Sequence, residues 1–225
     1  LEDNREGVWL GTFFGGLNYF SKENNQFEKY YPLNIEGSIS GNAVREICGD
    51  PWGNIWIGTE DAGINKLDKQ TGKFLRINHD SPSKGPTYPN IHGMLVHNNK
   101  LFAGPFFHGL EVMDISTGKL IDQHPRVPDN GSNAGNIVMS IYRTSENKIL
   151  VGTTGSGLYE YNEFTKKLTP VIYIPGDSYV YAIEEDHSGT IWTGALVKGV
   201  FYFNPKTGAS GNINFSSLKD TTKNA

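Results

Sequence analysis

The sequence has little cysteine, since Cys48 stands alone among 225 residues and no disulfide can form within the chain. A lone cysteine neither requires nor excludes an exported location, and we interpret Cys48 as a small buried hydrophobic residue. Long apolar runs are also absent, so the sequence predicts no membrane-spanning helix. The chain also has no large excess of positive or negative charge, because 20 basic and 24 acidic residues leave a net charge of -4. That balance argues against nucleic-acid binding and favours an uncharged or polar ligand, or a protein partner.

Motifs for metal, cofactor and catalytic chemistry are missing as well. The six histidines have no metal-ligand spacing, and the sequence has no phosphate-binding glycine loop, kinase motif or nucleophile elbow. The neighbouring carboxylates of Glu184, Glu185 and Asp186 are interpreted as solvated turn residues. Ser156 lies between two glycines, but it belongs to a repeated loop. We therefore predict no metal, no cofactor and no catalytic residue in this chain.

What the sequence does contain is a fivefold repeat. Residues 55–59 read Ile-Trp-Ile-Gly-Thr, and a second glycine follows the first one five positions later. The same arrangement recurs with first glycines at positions 11, 58, 104, 152 and 194, which gives steps of 47, 46, 48 and 42 residues. A period of this size is typical of repeat architectures.

Each unit divides into four strands, labelled A to D, by the alternation of apolar residues and by its turn residues. Strand B is predicted at 55–59 and 149–153, strand C at 199–203, and strand D at 168–172 and 212–215. Four antiparallel strands in about 45 residues are typical of a β-propeller blade. The predicted fold is thus all-β, a propeller of about five four-stranded blades. The blades are expected at 1–36, 37–85, 86–130, 131–175 and 176–225. Because the first unit lacks most of its strand A, we interpret the chain as a fragment of a seven-bladed or double propeller.

The recurring residues are interpreted as scaffold. Trp9, Trp56 and Trp192 precede the first glycine by two positions and are expected to fill the space between blades. The first glycine is expected to let the chain leave strand B without a β-carbon clash. The second glycine is expected to let strand C start close to its neighbour.

The residues that vary on this scaffold are the candidates for binding. Up-and-down connectivity places the B–C loops and the D–A connections on one face of the propeller, so variable residues there can share a ligand. Aromatic rings can stack on the C–H faces of sugars, while carboxylates and amides bind hydroxyl groups. The alternative is that Phe106 and Phe107 plug the central channel or pack under a loop. The candidates are Phe13, Phe14, Glu60, Asp61, Phe106, Phe107, His108, Ser156 and Lys198 from the B–C loops, and Asn90, His92, Asn133 and Asn136 near the D–A connections.

Residues 50–68, from Asp-Pro-Trp-Gly-Asn through Trp-Ile-Gly-Thr to Asn-Lys-Leu-Asp, closely resemble the two-component regulator propeller repeat. Residues 186–195 and the later Asn-Pro-Lys-Thr-Gly at 204–208 resemble the same repeat. The resemblance implies the periplasmic sensor region of a Bacteroidetes hybrid two-component system. Such proteins combine two seven-bladed propellers with a small immunoglobulin-like domain, a membrane span and a histidine kinase. Many of them sense oligosaccharides.

On this basis the chain is expected to be a non-catalytic, periplasmic sensor segment that detects a small carbohydrate and signals to a histidine kinase. Its expected partners are the remaining blades and domains of the parent chain and a second copy in a homodimer. A protein-interaction scaffold is the first alternative. A polysaccharide lyase or glycoside hydrolase on a propeller frame is the second, although one sequence cannot show the pair of facing carboxylates that a glycosidase needs.

Overall fold

The computed structural model describes residues 1–23, 26–77, 85–125 and 137–214. Strands and turns make up these residues, and none of them lies in an α-helix. Within the same ranges there is no helix long and apolar enough to cross a membrane. The strands form five separate antiparallel sheets, each built from consecutive strands of the chain.

The first sheet has three strands, ordered as in the sequence: β1 (Val8–Thr12), β2 (Gly16–Ser21) and β3 (Gln26–Tyr30). A single antiparallel bridge between Glu2 and Val8 stands where the other sheets have their strand A. The predicted shortage of strand A in this unit is therefore observed.

The other four sheets have four strands each, again in chain order. The second contains β4 (Val44–Gly49), β5 (Ile55–Thr59), β6 (Ile64–Asp68) and β7 (Lys73–Ile77). The third contains β8 (Ile91–His97), β9 (Lys100–Pro105), β10 (Leu110–Asp114) and β11 (Leu120–His124). The fourth contains β12 (Val138–Arg143), β13 (Ile149–Thr153), β14 (Leu158–Asn162) and β15 (Lys167–Pro170). The fifth contains β16 (Val180–Glu185), β17 (Ile191–Ala195), β18 (Gly199–Phe203) and β19 (Ser210–Ile213).

The predicted all-β propeller architecture is confirmed, with differences at some outer strands. Strand D of the fourth unit was expected to reach residue 172, but β15 ends at Pro170, and after it only the Val171 backbone N–H donates to the Leu158 carbonyl oxygen, at 2.8 Å. Strand D of the fifth unit was expected at 212–215, whereas β19 spans Ser210–Ile213; residue 215 lies outside the described ranges.

The core lies between neighbouring sheets. The innermost strands β4, β8, β12 and β16 contact one another in succession, and an apolar cluster fills each space between adjacent sheets. Trp9 and Trp56 lie within these clusters, as predicted. Cys48 packs against the edge of one cluster, and burial raises the pKa of its thiol.

Trp192 does not follow the prediction of a core tryptophan. Its ring contacts the Tyr202 ring at a centroid distance of 5.1 Å and a tilt of 36°. It stays partly exposed, because no described residue forms a sheet beyond the fifth one to cover it.

Each of the three tryptophans is held by an aspartate six residues earlier. The indole Nε1 of Trp9 donates to Asp3 Oδ2 at 2.9 Å, and Trp56 Nε1 donates to Asp50 Oδ2 at 3.0 Å. In the fifth sheet Trp192 Nε1 donates to Asp186 Oδ2 at 2.8 Å. The aspartate sits in the A–B turn and also accepts backbone N–H groups of that turn. The Asp–Trp hydrogen bond therefore links the A–B turn to the indole ring on strand B.

The predicted β-carbon clash at the first glycine and close approach at the second are both observed. None of the first glycines has a positive φ, and in the first four units the innermost strand of the next sheet lies against them. A β-carbon at Gly104, for example, would stand 2.8 Å from the Val138 carbonyl oxygen. The second glycines also have left-handed backbones, with φ between 72° at Gly109 and 85° at Gly199, and a β-carbon at Gly109 would clash with the His124 carbonyl oxygen. Conformational freedom is thus needed where strand C begins, in addition to the close approach.

Candidate functional site

The B–C loops and the starts of the innermost strands lie together on one face of the protein. Four backbone hydrogen bonds join them in equivalent positions of the second to fifth units: Glu60 N to Ala43 O, Phe106 N to Asn90 O, Thr154 N to Ile137 O and Leu196 N to Tyr179 O, all between 2.8 and 3.0 Å. The predicted sharing of one face by these segments is confirmed. We call this face the loop face.

Each innermost strand bulges near its start, on the loop face. The register of strand A against strand B shifts between Val44 and Glu46, and equivalent shifts occur in β8, β12 and β16. A bulge turns the extra side chain out of the ladder, and bulges are frequent beside functional sites. The bulge residues are Arg45, His92 with Gly93, Met139 and Tyr181.

Two of these bulge residues meet predicted site residues at the inner edge of the loops. Arg45 Nη1 lies 2.5 Å from Glu60 Oε1, so the B–C loop of the second unit carries an ion pair. His92 is buried, and its Nδ1 lies 3.2 Å from the sulfur of Met139. Burial, helped by the nearby charge of Arg45, lowers the pKa of His92 to about 4, so its imidazole is neutral at physiological pH.

Aromatic rings extend outward from this polar group. The Phe106 ring lies 4.7 Å from the His92 ring and 4.2 Å from the Phe107 ring. His108 stacks on Tyr88 at 5.0 Å with an interplanar angle of 17°, and its Nδ1 lies 2.7 Å from the Phe106 carbonyl oxygen. The structure thus brings the predicted residues Phe106, Phe107, His108 and His92 into one cluster, here called the aromatic cluster.

Several B–C loops hold their exposed apolar side chains in a strained backbone. Phe14, Phe107 and Val197 have φ values of 64°, 62° and 68°, and Gly155 occupies the equivalent position in the fourth unit with φ 73°. A left-handed backbone is costly for a residue with a β-carbon, above all for β-branched valine. Such strain concentrates at functional sites. The Phe13 and Phe14 rings make an edge contact at 4.4 Å and are mostly exposed.

The other predicted residues contribute unequally. Lys198 forms a salt bridge with Asp177, which links the B–C loop of the fifth unit to the connection between the fourth and fifth sheets. Asp61 is exposed on its loop, whereas Ser156 is buried beneath its own. The Asn90 Oδ1 atom is buried without a hydrogen-bond partner among the described residues, which leaves an acceptor next to the aromatic cluster. Asn133 and Asn136 lie outside the described residues.

Sequence reasoning missed Arg45, Met139 and Tyr88. The sequence did contain a signal for Arg45 and Met139. A β-branched residue recurs at Val44, Ile91, Val138 and Val180, and the residue after it varies as Arg, His, Met and Tyr. Tyr88 gives no such signal, since its neighbour His108 lies in a different loop.

The carboxylates considered for catalysis have structural partners. Asp186 accepts hydrogen bonds from Ser188, Thr190 and Trp192, and these bonds hold the pKa of its carboxyl well below the usual range. Glu185 accepts two bonds from Ser145 of the neighbouring sheet. Both residues lie at the A–B turns, away from the loop face.

Comparisons with known proteins agree with this architecture. Residues 38–61 match the profile of the family described as two component regulator propeller. The histidine kinase P4 of Formosa agariphila is 25% identical over 194 residues, which covers 80% of this chain and 14% of that protein.

Solved structures share the fold. Two extracellular domains from B. thetaiotaomicron, described as parts of hybrid two-component systems, superpose with TM-scores of 0.81 and 0.76 at 22% and 20% identity. They cover 95% and 96% of this chain, and 27% and 30% of their own chains. Virginiamycin B lyase from Staphylococcus aureus superposes with a TM-score of 0.70 at 12% identity, over 95% of this chain and 68% of its own.

The chain therefore spans less than a third of the kinase and of the two extracellular domains. The low identities to the solved structures establish the fold alone, and the family profile matches residues 38–61. The recurring glycine pair, the four-stranded antiparallel sheets and the matching profile together confirm the predicted resemblance: this chain folds as a β-propeller segment and is similar to the two-component regulator propeller repeat.

Proposed function

We propose that this chain is a non-catalytic, ligand-sensing part of a hybrid two-component sensor, exposed in the periplasm, whose parent chain carries a histidine kinase. The kinase of Formosa agariphila and the extracellular domains of B. thetaiotaomicron support this role, since their matches cover most of this chain. The remaining blades and domains of the parent would convert binding into a signal.

We further propose that the ligand is an oligosaccharide bound at the loop face. The observation that carries this proposal is the aromatic cluster beside the Arg45–Glu60 ion pair. A sugar ring can stack its C–H face on Phe107, while the Glu60 carboxylate accepts hydrogen bonds from its hydroxyl groups. The neutral His92 supports an uncharged ligand.

The test is a glycan array followed by isothermal titration calorimetry with the best oligosaccharide. The variant Phe107→Ala removes a mostly exposed ring and is expected to raise Kd about tenfold, equal to ~1.4 kcal/mol. Glu60→Ala should weaken binding by a similar factor. Phe164→Ala is the matched control, because Phe164 is also exposed but lies in a C–D turn on the opposite face. Binding that is lost in Phe164→Ala and kept in Phe107→Ala would contradict the proposed site.

A second candidate role, association with further propeller blades or a second copy, has its own observation. Val8, Leu10 and Phe27 are exposed on the first sheet, and Tyr181 and Val197 are exposed on the fifth. Concentration-dependent dimerisation in analytical ultracentrifugation, without binding of any glycan, would favour this role. Cleavage of a glycan by the purified chain would overturn both roles in favour of an enzyme.

A further inference from the structure

One structural position between the sheets varies in size among the five units. The residue two positions before the first glycine is Trp9, Trp56, Phe102, Leu150 or Trp192 in the five units. In the first four units this side chain fills the space towards the next sheet. Leu150 is the smallest of the five, and it lies in the space between the fourth and fifth sheets.

The partner of the tryptophan is missing from the same unit. Six residues before each tryptophan stands an aspartate that accepts the indole N–H, but six residues before Leu150 stands Thr144. The Thr144 hydroxyl accepts the Lys148 backbone N–H at 3.1 Å, so it caps the turn as the aspartate does. The turn is kept while both halves of the Trp–Asp pair are replaced.

A cavity of about 410 Å³ lies where these two replacements meet. Thr144 and Leu150 both line it, together with Ile191 and Phe203 of the fifth sheet. Tyr173 closes one side, with its ring stacked on Phe203 at 5.2 Å and 14°. Pockets for small ligands have volumes of about 300 to 1,000 Å³ and mostly apolar walls with a few polar groups. This cavity has that size and composition.

The charged groups that line the cavity are three carboxylates and two lysines: Glu146, Glu160, Glu185, Lys148 and Lys206. Glu160 faces Leu150 across the β13–β14 pair, at the position where Lys66 faces Trp56 in the second unit. In the second unit, Lys66 Nζ lies 5.5 Å from the centre of the Trp56 ring. In the fourth unit, the equivalent side chain is the carboxylate of Glu160, whose Oε2 lies 3.6 Å from Lys148 Nζ. The fourth unit thus provides a hydrogen-bond acceptor beside an aromatic-sized space.

We propose that this cavity binds a small planar aromatic molecule with an N–H or O–H donor, of the indole or phenol class, in the place that the Trp56 indole fills in the second unit. The ring packs between Leu150 and Tyr173, and the donor bonds to Glu160. The cavity lies between the fourth and fifth sheets, lined by their A–B and C–D turns and by residues 171–173, and it shares no lining residue with the proposed glycan site. It is therefore a second site that does not depend on the first.

The experiment is a titration of the purified chain with indole, followed by calorimetry and by ¹H–¹⁵N NMR. Saturable binding is expected with a Kd below about 1 mM, which corresponds to ~4.1 kcal/mol. 1-Methylindole, which lacks the N–H donor, should bind about tenfold more weakly. Phe164→Ala, a change at an exposed side chain outside the cavity, should leave indole binding unchanged.

The decisive variant is Leu150→Trp combined with Thr144→Asp, which restores the Trp–Asp pair and fills the cavity. Indole binding should fall at least tenfold, while the chain stays folded with an equal or higher Tm. If that variant does not fold, Tyr173→Ala at the open side of the cavity is expected to weaken binding by a similar factor. Absence of saturable indole binding to the unaltered chain, or equal binding in a folded Leu150→Trp variant, would overturn the proposal.

Discussion

The pair of Asp50 and Trp56 offers the sharpest test of how this fold is held together. Asp50 is buried, and its carboxylate accepts four hydrogen bonds: from the backbone N–H groups of Trp52 and Asn54, from Asn54 Nδ2 and from Trp56 Nε1. The substitution Asp50→Ala removes all four acceptor contacts. The turn donors can reach water, because Trp52 is exposed, but the indole N–H cannot, because Trp56 is almost completely buried.

The expected cost follows from this difference in access to water. A buried donor without a partner costs about 1–3 kcal/mol, and the turn loses about another 1 kcal/mol. We therefore expect Asp50→Ala to lower the free energy of unfolding by about 3 kcal/mol. Urea unfolding followed by tryptophan fluorescence measures this free energy. An unchanged m-value would show that Asp50→Ala exposes the same amount of surface on unfolding as the unaltered chain.

The matched control is Asp186→Ala in the fifth unit. Asp186 makes the equivalent bond to Trp192, but that indole is partly exposed and can bond to water after the substitution. The loss of stability should be clearly smaller than for Asp50→Ala. Equal losses in the two variants would refute the reasoning, because burial of the indole N–H would then not be the cause.

Two further predictions concern burial and close approach in the innermost strands. Burial raises the pKa of Glu46 from 4.5 to about 8, so between these pH values the folded chain binds more protons than the unfolded chain and stability falls as pH rises. The expected loss of stability is about 2 kcal/mol, because water reaches part of the Glu46 side chain. Glu46→Gln should remove this loss, and urea midpoints of both proteins at pH 5 and pH 8.5 measure it. An unchanged pH dependence of stability in Glu46→Gln would contradict the prediction. Gly104→Ala should destabilise by about 2–3 kcal/mol, since its β-carbon would stand 2.8 Å from the Val138 carbonyl oxygen. Gly194→Ala is the control, because its β-carbon would meet only Ala182 at 3.6 Å; thermal unfolding of both variants should show a large drop in Tm for the first alone.

The loop face combines a rigid frame with strained loops. Phe14 and Phe107 adopt left-handed backbones in equivalent loop positions, and most of each side chain is exposed. Such an arrangement lowers stability without improving the core, so its retention in two units fits a role in binding. The frame beneath is held by the backbone hydrogen bonds that join each B–C loop to the start of an innermost strand.

Much of the fold was predictable from the sequence because a β-strand is a local pattern. Ile55–Thr59, Ile149–Thr153 and Gly199–Phe203 were all predicted with the bounds that the structure has, since alternating apolar residues end at glycine or turn residues. The shared face of the B–C loops followed from connectivity alone. Repetition of one motif five times also separated the scaffold from the variable positions.

The remaining features depend on contacts between units that no single repeat encodes. The β-carbon clash that the first glycine avoids involves a residue of the following sheet, such as Val138 at Gly104, and local sequence does not identify that residue. Trp192 repeats the motif of Trp56 but is partly exposed, because burial depends on a neighbouring sheet.

The sequence by itself determined the repeat, the strands and the loop positions that are free to vary. Only the tertiary structure decided which of those positions meet. Bulges in β4 and β8 bring Arg45 to Glu60 and His92 to Phe106, and replacement of a tryptophan by Leu150 opens a cavity between two sheets. The physical reason is that side-chain alternation is set within a strand, whereas bulges, close approach and cavities are set by packing one sheet against the next.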